Sequence, residues 1–91
     1  MRAPISVVIP TLNAAHDLPG CTVALFEGLE AGLIRELIIS DGGSADDIAA
    51  LAAELGATLV VGPAGRGGQL ARGADVAAGD WLLFLHADTV L

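Results

Sequence analysis

The sequence contains no lysine, and four arginines stand against eleven acidic side chains, a formal net charge of −7. So cation-poor a surface argues against a nucleic acid or an anionic membrane as partner. Cysteine occurs once, at Cys21, which excludes an internal disulfide and favours a reducing compartment. That residue falls on the apolar side of a predicted helix and reads as buried rather than reactive. Aromatic residues make up 3% of a chain that is 54% hydrophobic, so the core must be built from Ala, Leu, Val and Ile. No apolar run approaches the roughly 20 residues that span a bilayer. Met1-Arg2-Ala3-Pro4 leads into a strand without the apolar region and cleavage site of a signal peptide. A cytoplasmic setting is the expectation, and 91 residues allow at most one small domain.

The most informative stretch is Asp80-Trp81-Leu82-Leu83-Phe84-Leu85-His86-Ala87-Asp88-Thr89. Five consecutive apolar residues, 81–85, have the length of a strand, and their lack of alternation suits one covered on both faces. His86 and Asp88 follow at once. In open α/β sheets ligands bind outside the carboxyl ends of strands, so this pair stands where chemistry is usually done.

Three further strands precede it. Residues 5–9 are β-branched and end at Pro10, which reads as a buried strand stopped by proline. After the turn Thr11-Leu12-Asn13, a helix is expected from about residue 14 or 16 to 31, with Leu18, Cys21, Leu25 and Leu29 on one face. Pro19 fits only in its first turn and Gly32 marks its end. Residues 36–40 form the second strand, closing on Asp41. Gly42-Gly43 turns the chain, and Ser44 is the predicted N-cap of a helix over 45–55, with Asp47 three residues on. Ile48, Leu51 and Leu55 should point inward. Gly56 ends this helix, 57–61 is the third strand, and 62–68 is a glycine-rich loop holding Arg66. A small-residue helix over 69–78, with Leu70, Ala74 and Ala77 on its apolar side, leads to Gly79 and the fourth strand.

This βαβαβαβ order predicts an α/β fold with a Rossmann-like, mostly parallel sheet and right-handed crossovers. A strand order of 3-2-1-4 would bring Thr11, Asp41 and Asp88 to one crevice at the switch point. In that order the strand over 81–85 is an edge, although its sequence reads as central. An exposed apolar edge is a liability, so further strands beyond Leu91 are expected, with self-association of the edge as the alternative.

Four blocks now stand out: Ile5-Ser6-Val7-Val8-Ile9-Pro10-Thr11-Leu12-Asn13, Ile38-Ile39-Ser40-Asp41-Gly42-Gly43-Ser44, Ala71-Arg72-Gly73 and Leu83-Phe84-Leu85-His86-Ala87-Asp88-Thr89. In order and spacing they resemble the family-2 inverting glycosyltransferases, and more narrowly a bacterial branch with a His-Ala-Asp version of the Asp-X-Asp motif. The resemblance implies the N-terminal, nucleotide-sugar-binding half of a GT-A fold. The acceptor-binding half and its catalytic base would follow Leu91, leaving no catalytic residue within the chain. It further implies a nucleotide-diphospho-sugar donor, UDP-linked, held with Mg²⁺ or Mn²⁺.

Asp41 can accept a hydrogen bond from an imide N–H such as N3 of uracil; the resemblance implies this role, with Thr11 near the same base and Pro10, Asn13 and Gly42 as further donor-binding positions. Asp41 can equally organise the turn before two glycines. Asp88 would carry the metal, because a carboxylate beside a diphosphate needs a cation between them. Unit charges about 4 Å apart interact by roughly 4 kcal/mol at an effective dielectric near 20. For His86 a ribose contact, a second metal position and a structural histidine all remain open, imidazole being a poorer ligand for Mg²⁺ than for Mn²⁺. Arg66 and Arg72 are candidate phosphate partners, or solvated surface charge. Gly73 stands where the family has asparagine. Two other readings stay open: a nucleotidyltransferase, which should carry a basic glycine-rich loop straight after the first strand, and a non-catalytic nucleotide-binding or self-association module. An NAD-dependent enzyme lacks its dinucleotide fingerprint here.

Overall fold

The computed structural model describes residues 4–12, 27, 30–44 and 47–85. Strand β1 (Ile5–Thr11) and strand β2 (Ile34–Asp41) are followed by helix α1 (Ile48–Leu55), strand β3 (Thr58–Val61), helix α2 (Arg66–Val76) and strand β4 (Trp81–Phe84). The four strands form one parallel sheet in the order β3-β2-β1-β4. This is the predicted topology, and it puts the carboxyl ends of the two central strands, Thr11 and Asp41, side by side.

Alternation along β1 and β2 builds two different faces. Val7, Ile9, Leu37 and Ile39 pack with Ile48 and Ala52 of α1 into the aliphatic core. The opposite face receives α2, whose Gly73 lies against Val8. Leu51 and Leu55 complete the first layer as partly buried neighbours.

Several expected boundaries move. Strand β1 runs through Pro10 to Thr11 instead of stopping. Trp81 N donates to Pro4 O and Leu85 N to Val8 O, so even-numbered residues of β1 turn their backbone groups toward β4. Pro10 shares that side but lies past the β4 ladder, which ends at the Val8–Phe84 pair, so its missing N–H costs no bond. The helix expected over 14–31 falls mainly outside the described residues, as does Cys21. Within it Glu27 and Glu30 are helical, and Gly32 closes it at φ 78°.

Helix α1 begins at Ile48 rather than residue 45, with Asp47 at the N-cap making no side-chain cap bond. The expected cap, Ser44, instead bonds Asp41. Helix α2 starts three residues early, through Gly67 and Gly68. Among its described side chains the buried positions are Gln69 and Gly73, so the inward face is centred on a polar residue rather than on Leu70, Ala74 and Ala77. Strand β4 was expected to be covered on both faces, yet all four residues are exposed, Trp81 at 70%.

Away from the candidate site, a second polar cluster ties the α2–β4 connection to the sheet. Buried Ser6 Oγ donates to Glu36 Oε2 at 2.7 Å and accepts from Gly79 N at 2.8 Å. Ala78 N donates to the same Glu36 oxygen at 2.6 Å. Burial works to raise the Glu36 pKa, but hydrogen bonds from Ser6 and Ala78 and the charge of Arg35 outweigh it, and the net direction is downward.

Candidate functional site

Parallel pairing with its register ending at Thr11 and Asp41 leaves these two side chains in contact at the sheet's carboxyl edge. Thr11 Oγ1 donates to Asp41 Oδ1 at 2.7 Å, and the Ser44 hydroxyl donates to the same oxygen. Asp41 Oδ2 accepts from Gly43 N at 3.0 Å and from Ser44 N at 2.7 Å. An ionised carboxylate offers about four acceptor positions, and here all are filled from within the chain. Asp41 is 1% exposed. Burial pushes its pKa up, but hydrogen bonds from Ser44, Thr11 and Gly43 outweigh it, so the carboxyl lies below its ordinary value. A low pKa and filled acceptors make Asp41 a poor general base. Its chemistry is that of a fixed negative charge.

The other organiser of this edge is Gln69, in the first turn of α2 and 5% exposed. Its Nε2 donates to Thr11 O at 2.8 Å and to Ser40 O at 2.9 Å, and its Oε1 accepts from Gly65 N at 3.0 Å. Ser40 Oγ in turn donates to Gln69 O at 2.5 Å. One amide thus joins the ends of β1 and β2 to the glycine-rich loop. Gly42 is required for this fit, because a Cβ there would meet Gln69 Oε1 at 2.8 Å and the backbone of Ala64 at 3.0 Å. Sequence reasoning missed Gln69. The one available signal was an uncharged polar residue spaced four before Gly73, on the face that proves to be buried.

The structure brings together Thr11, Asp41 and Gly42, with half-buried Pro10 completing the β1 tip. Arg72 lies one strand over. Its guanidinium packs on Gly62, where a Cβ would come within 2.5 Å of Nε, and Nη2 donates to Pro63 O at 2.7 Å. Arg72 Nε is buried without a hydrogen-bond partner. Gly62 N donates to Asp41 O at 3.0 Å, so this arginine is joined to the Asp41 tip through one backbone bond. Arg66 opens α2; its side chain, and Asn13, His86 and Asp88 entirely, lie outside the described residues. Strand β4 runs with β1 toward the same edge, Leu85 N donating to Val8 O at 3.1 Å. Among the described residues no group of three metal-ligating side chains occurs, and no helix is long and apolar enough to cross a membrane.

Known proteins share this fold. Glucosyl-3-phosphoglycerate synthase from Mycobacterium tuberculosis, in a crystal structure with Mn²⁺, UDP and glucosyl-3-phosphoglycerate, superposes with a TM-score of 0.80 at 31% identity, over 93% of this chain and 33% of that one. Mannosyl-3-phosphoglycerate synthase from Rubrobacter xylanophilus gives a TM-score of 0.82 at 29% identity, over 96% and 31%. In sequence, the PGL/p-HBAD biosynthesis glycosyltransferase of Mycobacterium bovis BCG is 41% identical over 99 residues, all of this chain and 38% of the relative. The chain therefore spans less than half the length of the curated relatives it matches. The family described as Glycosyl transferase family 2 matches residues 6–91, and the chain belongs to that family.

Proposed function

We propose that this chain is the donor-binding part of a glycosyltransferase and takes a nucleotide-diphospho-sugar, UDP-linked, at the shared tip of β1 and β2. The observation that carries the reading is the buried, ionised Asp41 paired with Thr11 at the carboxyl ends of the two central strands. For uracil N3–H to reach that carboxylate, one internal donor must give way. The Ser44 hydroxyl is suited to this, because it can rotate off Oδ1 while Ser44 N and Gly43 N keep Oδ2. Pro10, Asn13 and Gly42 frame the base in this reading. Arg72, with its unpaired Nε, and Arg66 are the diphosphate partners in this reading.

Asp88, in the His-Ala-Asp sequence of a bacterial branch of the family, holds Mn²⁺ or Mg²⁺, with His86 a second ligand or a ribose contact. The direction of β4 supports this, since the chain leaves Leu85 on the Thr11 side of the sheet. When bound, such an ion neutralises the departing diphosphate. Transfer with inversion would need an acceptor and a base from polypeptide following Leu91. Coverage of only 38% of the relative and the bare apolar face of β4 support that extension over self-association through the edge. The single cysteine supports a cytoplasmic setting.

Calorimetric titration with UDP tests the reading. Binding is expected with Mn²⁺ or Mg²⁺ and lost in Asp88→Ala. Equal affinity in excess chelator overturns the metal assignment, and no UDP binding under any condition overturns the donor site.

A further inference from the structure

We infer that Gln69 is the positioning residue that gives the donor site its preference for uracil, an inference that rests on the donor-binding reading above. Base choice at this tip depends on where Asp41 holds its charge, because uracil N3 donates a hydrogen bond whereas cytosine N3 accepts one. Asp41 is placed by Thr11 and by the turn over residues 42–44. Those elements are placed in turn by Gln69.

The ladder between β1 and β2 ends at the Thr11–Asp41 pair. Beyond it the carbonyl of Thr11 is held by Gly42 N at 2.9 Å and by Gln69 Nε2 at 2.8 Å. The second proton of the same amide takes Ser40 O at 2.9 Å, immediately before Asp41. Both protons of one NH₂ group therefore fix the distance between the strand ends that carry Thr11 and Asp41. The amide oxygen holds Gly65 N, which anchors the loop leading into α2 and its two arginines. The contact with Gly42 completes the wedge.

No other uncharged side chain serves all of these roles. A hydrocarbon of equal size leaves two carbonyls and one N–H without partners. A carboxylate at the same place faces two carbonyl oxygens with like polarity. Among the described residues of the same helix the other buried position is Gly73, against Val8, so α2 lies close enough to the sheet for a glutamine to span the gap. Gln69 itself is 5% exposed and need not touch the nucleotide.

The experiment compares UDP and CDP affinities by calorimetry, in Mn²⁺, for the full-length wild type, Gln69→Leu and Ser6→Ala. The Ser6 variant removes buried hydrogen bonds from the other polar cluster and serves as the stability control. Gln69→Leu is expected to lose about tenfold or more of the UDP-over-CDP preference, the range of one hydrogen bond to a charged group. Ser6→Ala is expected to lower the melting temperature while keeping the preference. If Gln69→Leu does not fold, Gln69→Asn, which withdraws the amide by one methylene, is read the same way. A Gln69 variant that melts earlier but keeps the wild-type preference overturns the inference and leaves the donor site intact. A wild type that binds neither nucleotide overturns the donor-site reading and this inference with it.

Discussion

Thr11 and Asp41 are the last register pair of β1 and β2, and the hydroxyl of one donates to the carboxylate of the other at 2.7 Å with both side chains buried. A parallel sheet has brought a charge and its first hydrogen-bond partner together from positions 30 apart in sequence. The consequence is a carboxylate held ionised and aimed before any ligand arrives.

Asp41→Asn tests that state. The amide NH₂ would replace an oxygen that now accepts two hydrogen bonds, setting donor against donor in a buried site. A stability loss of about 1–3 kcal/mol is expected, read as a lower denaturant midpoint with an unchanged slope. Affinity for UDP should fall at the same time. An unaltered midpoint would show that the four internal bonds do not hold the turn.

Ser44→Ala separates turn-building from base recognition. The variant keeps the Ser44 N donor to Oδ2 and removes the hydroxyl that donates to Oδ1. Stability is expected to fall by about 1 kcal/mol, while UDP binding is retained or strengthened because one acceptor position opens. A loss of UDP affinity larger than the loss of stability would assign Ser44 to direct ligand contact instead.

Much of this architecture was legible from residue order. The β-branched runs, the glycines at 32 and 56, and the βαβ alternation led to the observed strand order 3-2-1-4. The site was legible only in part. Asp41 stood out because a carboxylate before two glycines is conspicuous, and Thr11 followed from adjacency in the sheet. Ser44 was misassigned as a cap because its competing partner, Asp41, lies three residues back, and side-chain bonds within a turn are not visible in a capping pattern. Gln69 was missed because apolar periodicity weights Leu70 and Ala74, whereas the face was decided by a glycine contact and three hydrogen bonds. Trp81 to Leu85 read as a central strand on composition, while the expected strand order made it an edge; the exposure of Trp81 to Phe84 follows from that edge position, which composition does not encode.

Gly73→Ala tests how closely α2 must approach the sheet. A Cβ at position 73 would collide with Val8 Cγ1 and lie 3.3 Å from Val8 Cγ2. Val8 is fully buried and β-branched, so it has little rotamer freedom with which to yield. Helix propensity favours alanine by about 1 kcal/mol, against an overpacking cost of about 1–3 kcal/mol. A net loss of stability is expected, with the amide of Gln69 drawn away from Thr11 O. Combining Gly73→Ala with Val8→Ala should recover part of the loss, a coupling typical of residues in contact. Stabilisation by Gly73→Ala alone would mean that α2 has slack against β1.

Acid titration addresses Asp41 and Glu36 together. Both have folded-state values below their ordinary ones, 3.8 for Asp41 and 4.5 for Glu36. When the folded value is the lower one, the unfolded chain takes up protons first, so stability is lost as pH falls. The contribution of each group should be complete above its ordinary value and should disappear as pH drops through its lower folded value. Glu36→Gln removes one of the two sources. The variant should start with lower stability near neutrality, because a neutral amide oxygen accepts less strongly from Ser6 Oγ and Ala78 N. Its stability should then decline less steeply below about pH 4.5, leaving the Asp41 step at more acid pH. Denaturation midpoints measured from pH 7 to pH 2 would show this as two curves converging toward low pH. Parallel curves would mean that Glu36 gains nothing from its place between Ser6 and the α2–β4 connection.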